Sequence, residues 1–210
     1  MGWTGEFIYG KLRYAEEKAR VVAMYTWARD GIEVRPLMVC NVRPDWYVAV
    51  EVIAPATHNP APFVAETLPD GRIRYVFAET VMTRMYRTEW MHKEVSESSG
   101  PTSSNAPAAL LALLSPLQAP SGAEWDNAKW AADWRARCAA NAAAKAKARA
   151  VKVGQVIRFA NAIRFTNGIE ADTFKRIEGK TSYQVVGRDY VCTVRIRPCD
   201  LTRREWDLVA

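Results

Sequence analysis

The chain has 210 residues, 49% apolar and 25% charged, with a formal net charge of +6. That length and balance suit one or two globular domains with a buried core and exclude wholesale disorder. No run approaches the ~20 apolar residues of a membrane helix, and MGWTGEFIYGKLRYAEE has no charged stretch followed by an apolar one, so a cytoplasmic protein is expected.

WTGEFIYG reads as an extended start turning at Gly10, with Trp3, beside Gly2 and close to Gly5, expected to plug into the sheet that follows. Residues 13–31 read as a helix closed by Gly31, with Tyr14, Val21, Val22, Met24 and Tyr25 toward one side and Glu16–Arg20 as an i,i+4 pair. Residues 32–42 and 46–53 are β-branched and aromatic, joined by the turn residues Arg43-Pro44-Asp45. After a proline-rich connector (54–63) and the Asp70-Gly71 turn, residues 72–85 and 86–95 read as a further hairpin or one long bent strand. A helix followed by about four strands predicts an antiparallel sheet with a helix across one face.

Residues 96–107 are a loop by composition, and 108–116 a short apolar helix. Residues 124–150 form the strongest helix in the chain by alanine content, with Ser115 or Ser121 as candidate caps. Trp130, Trp134 and Cys138 recur every four residues and predict a stripe docked on the sheet. The basic residues near the end of this helix do not form such a stripe. At about 100° per residue, Arg135, Arg137, Lys145, Lys147 and Arg149 ring the axis.

Beyond Val151 the period becomes two. Residues 153–169 contain the hairpin signal Asn167-Gly168, and 173–187 and 189–198 continue the strand pattern. In the last of these, Tyr190, Cys192, Val194 and Ile196 share one face, and Thr193, Arg195 and Arg197 the other. The expected architecture is therefore α+β: an N-terminal antiparallel sheet with packed helices, then a long helix and a small C-terminal β-barrel-like module. The division expected is an α+β domain over 1–150 and a β-rich module over 151–210, with cleavable links at 96–107 and 141–152.

No glycine-rich phosphate loop, His-Glu-x-x-His or calcium-loop pattern occurs. Cys40, Cys138, Cys192 and Cys199 lack the paired spacing of a zinc site and read as free thiols. No metal and no cofactor is expected. With only His58 and His92, a histidine-based triad has little to build on. Glu79, Glu89 and Glu94 lie on strands with Arg84 and Arg87 near in sequence, an arrangement that solvated ion pairs explain as well as a catalytic pair does.

Residues 151–210 carry 11 basic against 7 acidic side chains, and the basic residues interleave with aromatics: Arg158-Phe159, Arg164-Phe165, Phe174-Lys175-Arg176, Tyr183. A basic groove with stacking rings is how small barrels hold single-stranded nucleic acid, although the phenylalanines are equally the core a small module needs. The candidate binding residues are Arg195 and Arg197, two apart on one strand, completed by Arg158 or Arg164.

Met1-Gly2-Trp3-Thr4 resembles the opening of a family of uncharacterised proteins from bacteria, plasmids and phages. The similarity extends to Arg13–Glu17, WYVAVEV, RYVFAETVMTRMYRTEW, Gly100-Pro101, Leu113-Leu114-Ser115-Pro116, the Ala-x-x-Trp-Arg-x-x-Cys segment Ala131–Cys138, and Val153–Ile157. Residues 54–63 and 141–152 depart from the family's pattern. The resemblance implies a mobile genetic element, where small non-enzymatic proteins block or modulate host defence, replication or repair.

Two functional readings follow. The first is a non-catalytic interaction protein that binds nucleic acid or a host protein handling nucleic acid, anti-defence activity included. The second is a hydrolase or transferase acting on a nucleotide-like ligand, which needs a pocket gathering Trp3, Tyr47, Glu79 or Glu89 with an arginine. Oligomeric state is not encoded in any pattern found.

Overall fold

The computed structural model describes residues 3–8, 13–86, 88–100, 102–179 and 181–209. Gly2, Gly10, Arg87 and Pro101 lie outside the described residues. The contacts divide the chain into two compact units, Met1–Ala139 and Ala140–Ala210, so the division falls inside the long helix.

The first unit is built on one antiparallel sheet. Its strands are β1 (Thr4–Phe7), β2 (Trp27–Arg29), β3 (Ile32–Val42), β4 (Asp45–Ala54), β5 (Glu66–Thr67), β6 (Ile73–Tyr86) and β7 (Glu89–Ser96). Their order is β1-β7-β6-β4-β3-β2, with β5 added beside β6. β4 is the central strand and nearly all of it is buried. Alternation along it separates two cores. Trp46, Val48, Val50 and Val52 pack with Val21 of helix α1 (Tyr14–Met24) and with Tyr25 directly after it. Tyr47 and Ala49 face the other way, against Leu110 of α2 (Ala108–Leu111) and against Trp134 and Cys138 of α3 (Asn127–Ala150).

Helix α1 stops at Met24, earlier than helix propensity implies, and Trp27–Arg29 pairs with β3. Asp30 and Gly31 both have positive φ, 53° and 76°, the geometry of a tight two-residue hairpin. Gly31 therefore closes a hairpin instead of capping a helix. Strand pairing satisfies the backbone of Trp27–Arg29 as well as a further helical turn would, and the Asp-Gly turn chemistry decides between them.

Helix α3 is capped by Asp126, whose Oδ1 accepts the Lys129 N–H at 3.0 Å and whose Oδ2 accepts from Ser121 Oγ and Gly122 N–H. The two serines expected as caps serve elsewhere: Ser121 supports Asp126, and Ser115 Oγ accepts the Val76 N–H. The buried stripe is Ala131, Trp134 and Cys138, each fully buried. Trp130 is half-buried and meets the exposed Trp125 edge-on. Trp3 is not a buried plug. It sits beside the edge strand β1, 38% exposed, with the Arg84 guanidinium 4.0 Å from its ring.

The second unit carries β8 (Val156–Arg164), β9 (Glu170–Arg176), β10 (Ser182–Val185), β11 (Thr193–Arg195), helix α4 (Pro198–Arg203) and β12 (Trp206–Val209). Its sheet runs β11-β10-β9-β8-β12, antiparallel throughout and sharing no strand with the first sheet. Among the described residues, β11 and β12 stand at opposite ends of the strand order, without the pairing that closes a barrel. Phe159, Phe174, Tyr183, Ile196 and Trp206 form the core with Ala148 from the end of α3. Tyr190 departs from the expected face: the strand begins only at Thr193, and the ring is 59% exposed in the preceding loop. Among the described residues no helix is long and apolar enough to cross a membrane.

Candidate anion-binding surface of the C-terminal unit

Strand alternation puts Phe159 and Phe174 on one side of the small sheet and Arg158, Lys175 and Arg195 on the other. Phe159 and Phe174 are buried and Phe165 packs against them, so none is a stacking platform. Among the described residues of this unit the exposed aromatic ring is Tyr190.

Register fixes which basic residues share the open face. Arg158 stands opposite Thr173 of β9 and Asp207 of β12. Lys175 stands opposite Val156 and Gln184, and Gln184 opposite Thr193. Arg195 stands opposite Ser182, one further pair along. Arg158, Lys175 and Arg195 thus form a diagonal stripe over β8, β9 and β11, all exposed. With strands ~4.8 Å apart and ~3.3 Å per residue, successive cations lie roughly 8 and 12 Å apart. Arg158 donates from Nε to Thr173 Oγ1 (3.1 Å), and Arg195 from Nε to Thr181 Oγ1 (3.0 Å). These bonds orient each guanidinium through one nitrogen and leave the terminal amino groups for a planar anion. Among the described residues none of the three makes a salt bridge.

Two of the four expected arginines stand outside the stripe. Arg164 ends β8, opposite Glu170 and separated from Arg158 by a register irregularity. Arg197 is exposed on the expected side but caps α4: its N–H and Nε both donate to Asp200 Oδ2, at 3.1 and 3.2 Å. The hydrogen bonds and charge of Asp200 raise its pKa further, so it is fixed as one half of an ion pair. Lys175 is the member of the stripe outside the expected set. Its signal was its place directly after a core phenylalanine, which puts it on the opposite face.

The acidic residues of the first sheet separate in the structure. Tyr47 faces α3 and bonds Ser103 Oγ (2.5 Å), Trp3 lies by the edge strand, and Glu89 is on β7 beside Gly5. These do not converge on one pocket. Glu79 and Glu94 do share the α1 face. Glu94 Oε2 accepts from Tyr25 Oη (3.3 Å), and Glu94 Oε1 is 3.4 Å from His92 Nε2. Glu79 Oε2 is buried without a partner among the described residues. Burial, then the charges of Glu94 and Glu97, push the Glu79 carboxyl up to about 8. A cleft of about 330 Å³ lined by Tyr25, Trp27, His58, Tyr75, Phe77 and Glu94 lies on this face.

Among the described residues no group of His, Cys, Asp and Glu has the arrangement of a metal site, and none of Cys40, Cys138, Cys192 and Cys199 is in a disulfide. No curated protein and no solved structure matches the chain significantly. Residues 126–198, from the N-cap of α3 to the first residue of α4, match the model of a family described as a domain of unknown function (DUF6927).

Proposed function

We propose that this is a non-catalytic, cytoplasmic interaction protein of a phage or other mobile genetic element, whose C-terminal unit binds single-stranded nucleic acid along its phosphate backbone. The observation that carries the reading is the Arg158–Lys175–Arg195 stripe, three exposed cations on one sheet face without salt-bridged acids among the described residues. The register irregularity in β8 between Arg158 and Ile163 supports a sheet that curls toward a small barrel, the form in which such faces track a strand. Tyr190 in the neighbouring loop offers a ring for stacking. Mobile-element origin rests on the resemblance of the N-terminal motif, and an anti-defence role is one form of the same activity.

A pull-down of the full chain from host lysate, with and without nuclease, tests this. Wild type retains nucleic acid at low salt and loses it on nuclease treatment. The Arg158→Glu/Arg195→Glu variant retains at least tenfold less. Wild type that captures no nucleic acid, yet holds a host protein through nuclease treatment, has a protein target instead.

A second reading, an enzyme acting on a nucleotide-like ligand, draws support from Glu79. Its carboxyl, pushed up to about 8, shares the α1 face with a cleft lined by Glu94 and Tyr25, and a carboxyl so raised has the properties of a general acid or base.

A further inference from the structure

On the buried side of the small sheet, the end of α3 and the start of α4 enclose a cavity of about 490 Å³. Its cations are Lys145, Arg149 and Arg176, and none of its described lining residues is acidic. The floor is apolar, from Ala148, Ile196 and Leu201. Beneath this lining, the hydroxyl of Tyr183, a residue 1% exposed, and Nε of Arg176 are buried without a hydrogen-bond partner among the described residues. Arg176 also stands 5.8 Å over the Tyr183 ring.

We propose that this cavity is a binding site for a small phosphomonoester carried on an apolar or aromatic body. Two guanidinium groups, Arg149 and Arg176, without a lining carboxylate among the described residues call for a dianion, and a doubly charged phosphate meets that where a carboxylate does not. The volume exceeds what inorganic phosphate fills and falls in the range of small-molecule pockets, while the apolar floor has no use for a bare ion. Arg149 is exposed at the rim and receives the phosphate. Arg176, half-buried in the lining, supplies the second guanidinium. The site is independent of the outer stripe, because Tyr183 and Ile196 belong to the buried face and Arg158 and Lys175 to the open one.

Cys199, half-buried in the lining, reports occupancy. The full chain is titrated calorimetrically with phenyl phosphate and adenosine monophosphate, beside phenol and adenosine. Iodoacetamide labelling of Cys199 is followed by peptide mapping in parallel. At least one phosphomonoester binds at one site per chain, at least tenfold tighter than its uncharged counterpart, and slows Cys199 labelling at least fivefold. Arg149→Gln, an exposed change that spares the fold, weakens that binding at least fivefold, whereas Arg158→Glu/Lys175→Glu leaves it unchanged. The proposal is overturned if neither phosphomonoester binds, if binding leaves Cys199 labelling unaltered, or if Arg149→Gln binds as wild type does. Loss of binding in Arg158→Glu/Lys175→Glu also overturns it, by placing the phosphate on the outer face.

Discussion

Arg135→Ala is expected to lower the unfolding free energy of the first unit by about 3–5 kcal/mol, the cost of stranding a buried charge. The charge is Glu97, whose side chain is fully buried. Arg135 reaches it bidentately, Nε to Oε2 at 2.6 Å and Nη2 to Oε1 at 2.9 Å, while Nη1 donates to the Ser115 carbonyl at 2.7 Å. Glu97 Oε1 also accepts the Ala78 N–H at 2.9 Å, so one carboxylate ties the helix to β6. Its removal with the arginine, in Glu97→Gln/Arg135→Met, recovers most of the loss, because no unpaired charge is left. Urea unfolding of the two variants beside wild type reads this. Equal losses in single and double variants contradict it.

The second large effect is a pH dependence of opposite sign to that of a salt-bridged carboxylate. Glu79 titrates near 8 in the folded chain against an ordinary value of 4.5. Between those values the folded state holds a proton that the unfolded state has released. Its contribution to stability is therefore complete below about pH 4.5, declines by roughly 1.4 kcal/mol per pH unit, and is gone above pH 8. Glu94, Tyr25 and His92 share the same face, and Glu94 adds to the shift. Glu51 works the other way: burial favours its neutral form, but hydrogen bonds from Arg35 and Arg74 outweigh that and hold its pKa low. Glu79→Gln should flatten the fall in urea midpoint between pH 5 and 8.5 and gain on wild type at the alkaline end. Parallel curves for the two proteins rule out a perturbed Glu79.

The strands of both sheets were legible because alternation and turn residues agree. IEVRPLMVCNV and WYVAVEVI flank Pro44, and Asn167-Gly168 separates β8 from β9. The errors fall where two local codes compete. Thr26–Arg29 has acceptable helix propensity, yet Asp30-Gly31 turns it into a strand. Residues 189–198 alternate throughout, yet strand pairing holds only Thr193–Arg195, and Pro198, at the first position of α4, with Asp200 starts a helix. The Ala-x-x-Trp-Arg-x-x-Cys segment was visible as a pattern, while the carboxylate that gives its arginine a purpose lies 38 residues away. The exposure of Arg158 and Arg195 on the face away from the core follows from period two alone. Arg197 is tied to Asp200 only through the capping of α4, and Arg164 is set apart only by the irregular register of β8, neither of which a strand pattern encodes. The cavity beside Tyr183 had no sequence signal, since it is assembled from α3, β9, β10 and α4 together.

The central claim is that three cations on the open face of the small sheet hold a phosphate backbone. Fluorescence polarisation of a labelled single-stranded oligonucleotide against salt concentration measures it most directly. Three phosphate contacts predict a log–log slope near −2, at about −0.7 per contact for a single strand. Arg158→Glu/Lys175→Glu/Arg195→Glu should abolish binding to all sequences alike, because backbone contacts carry no base information. A wild-type chain that fails to bind at low salt, or a triple variant that binds with the wild-type slope, contradicts the assignment.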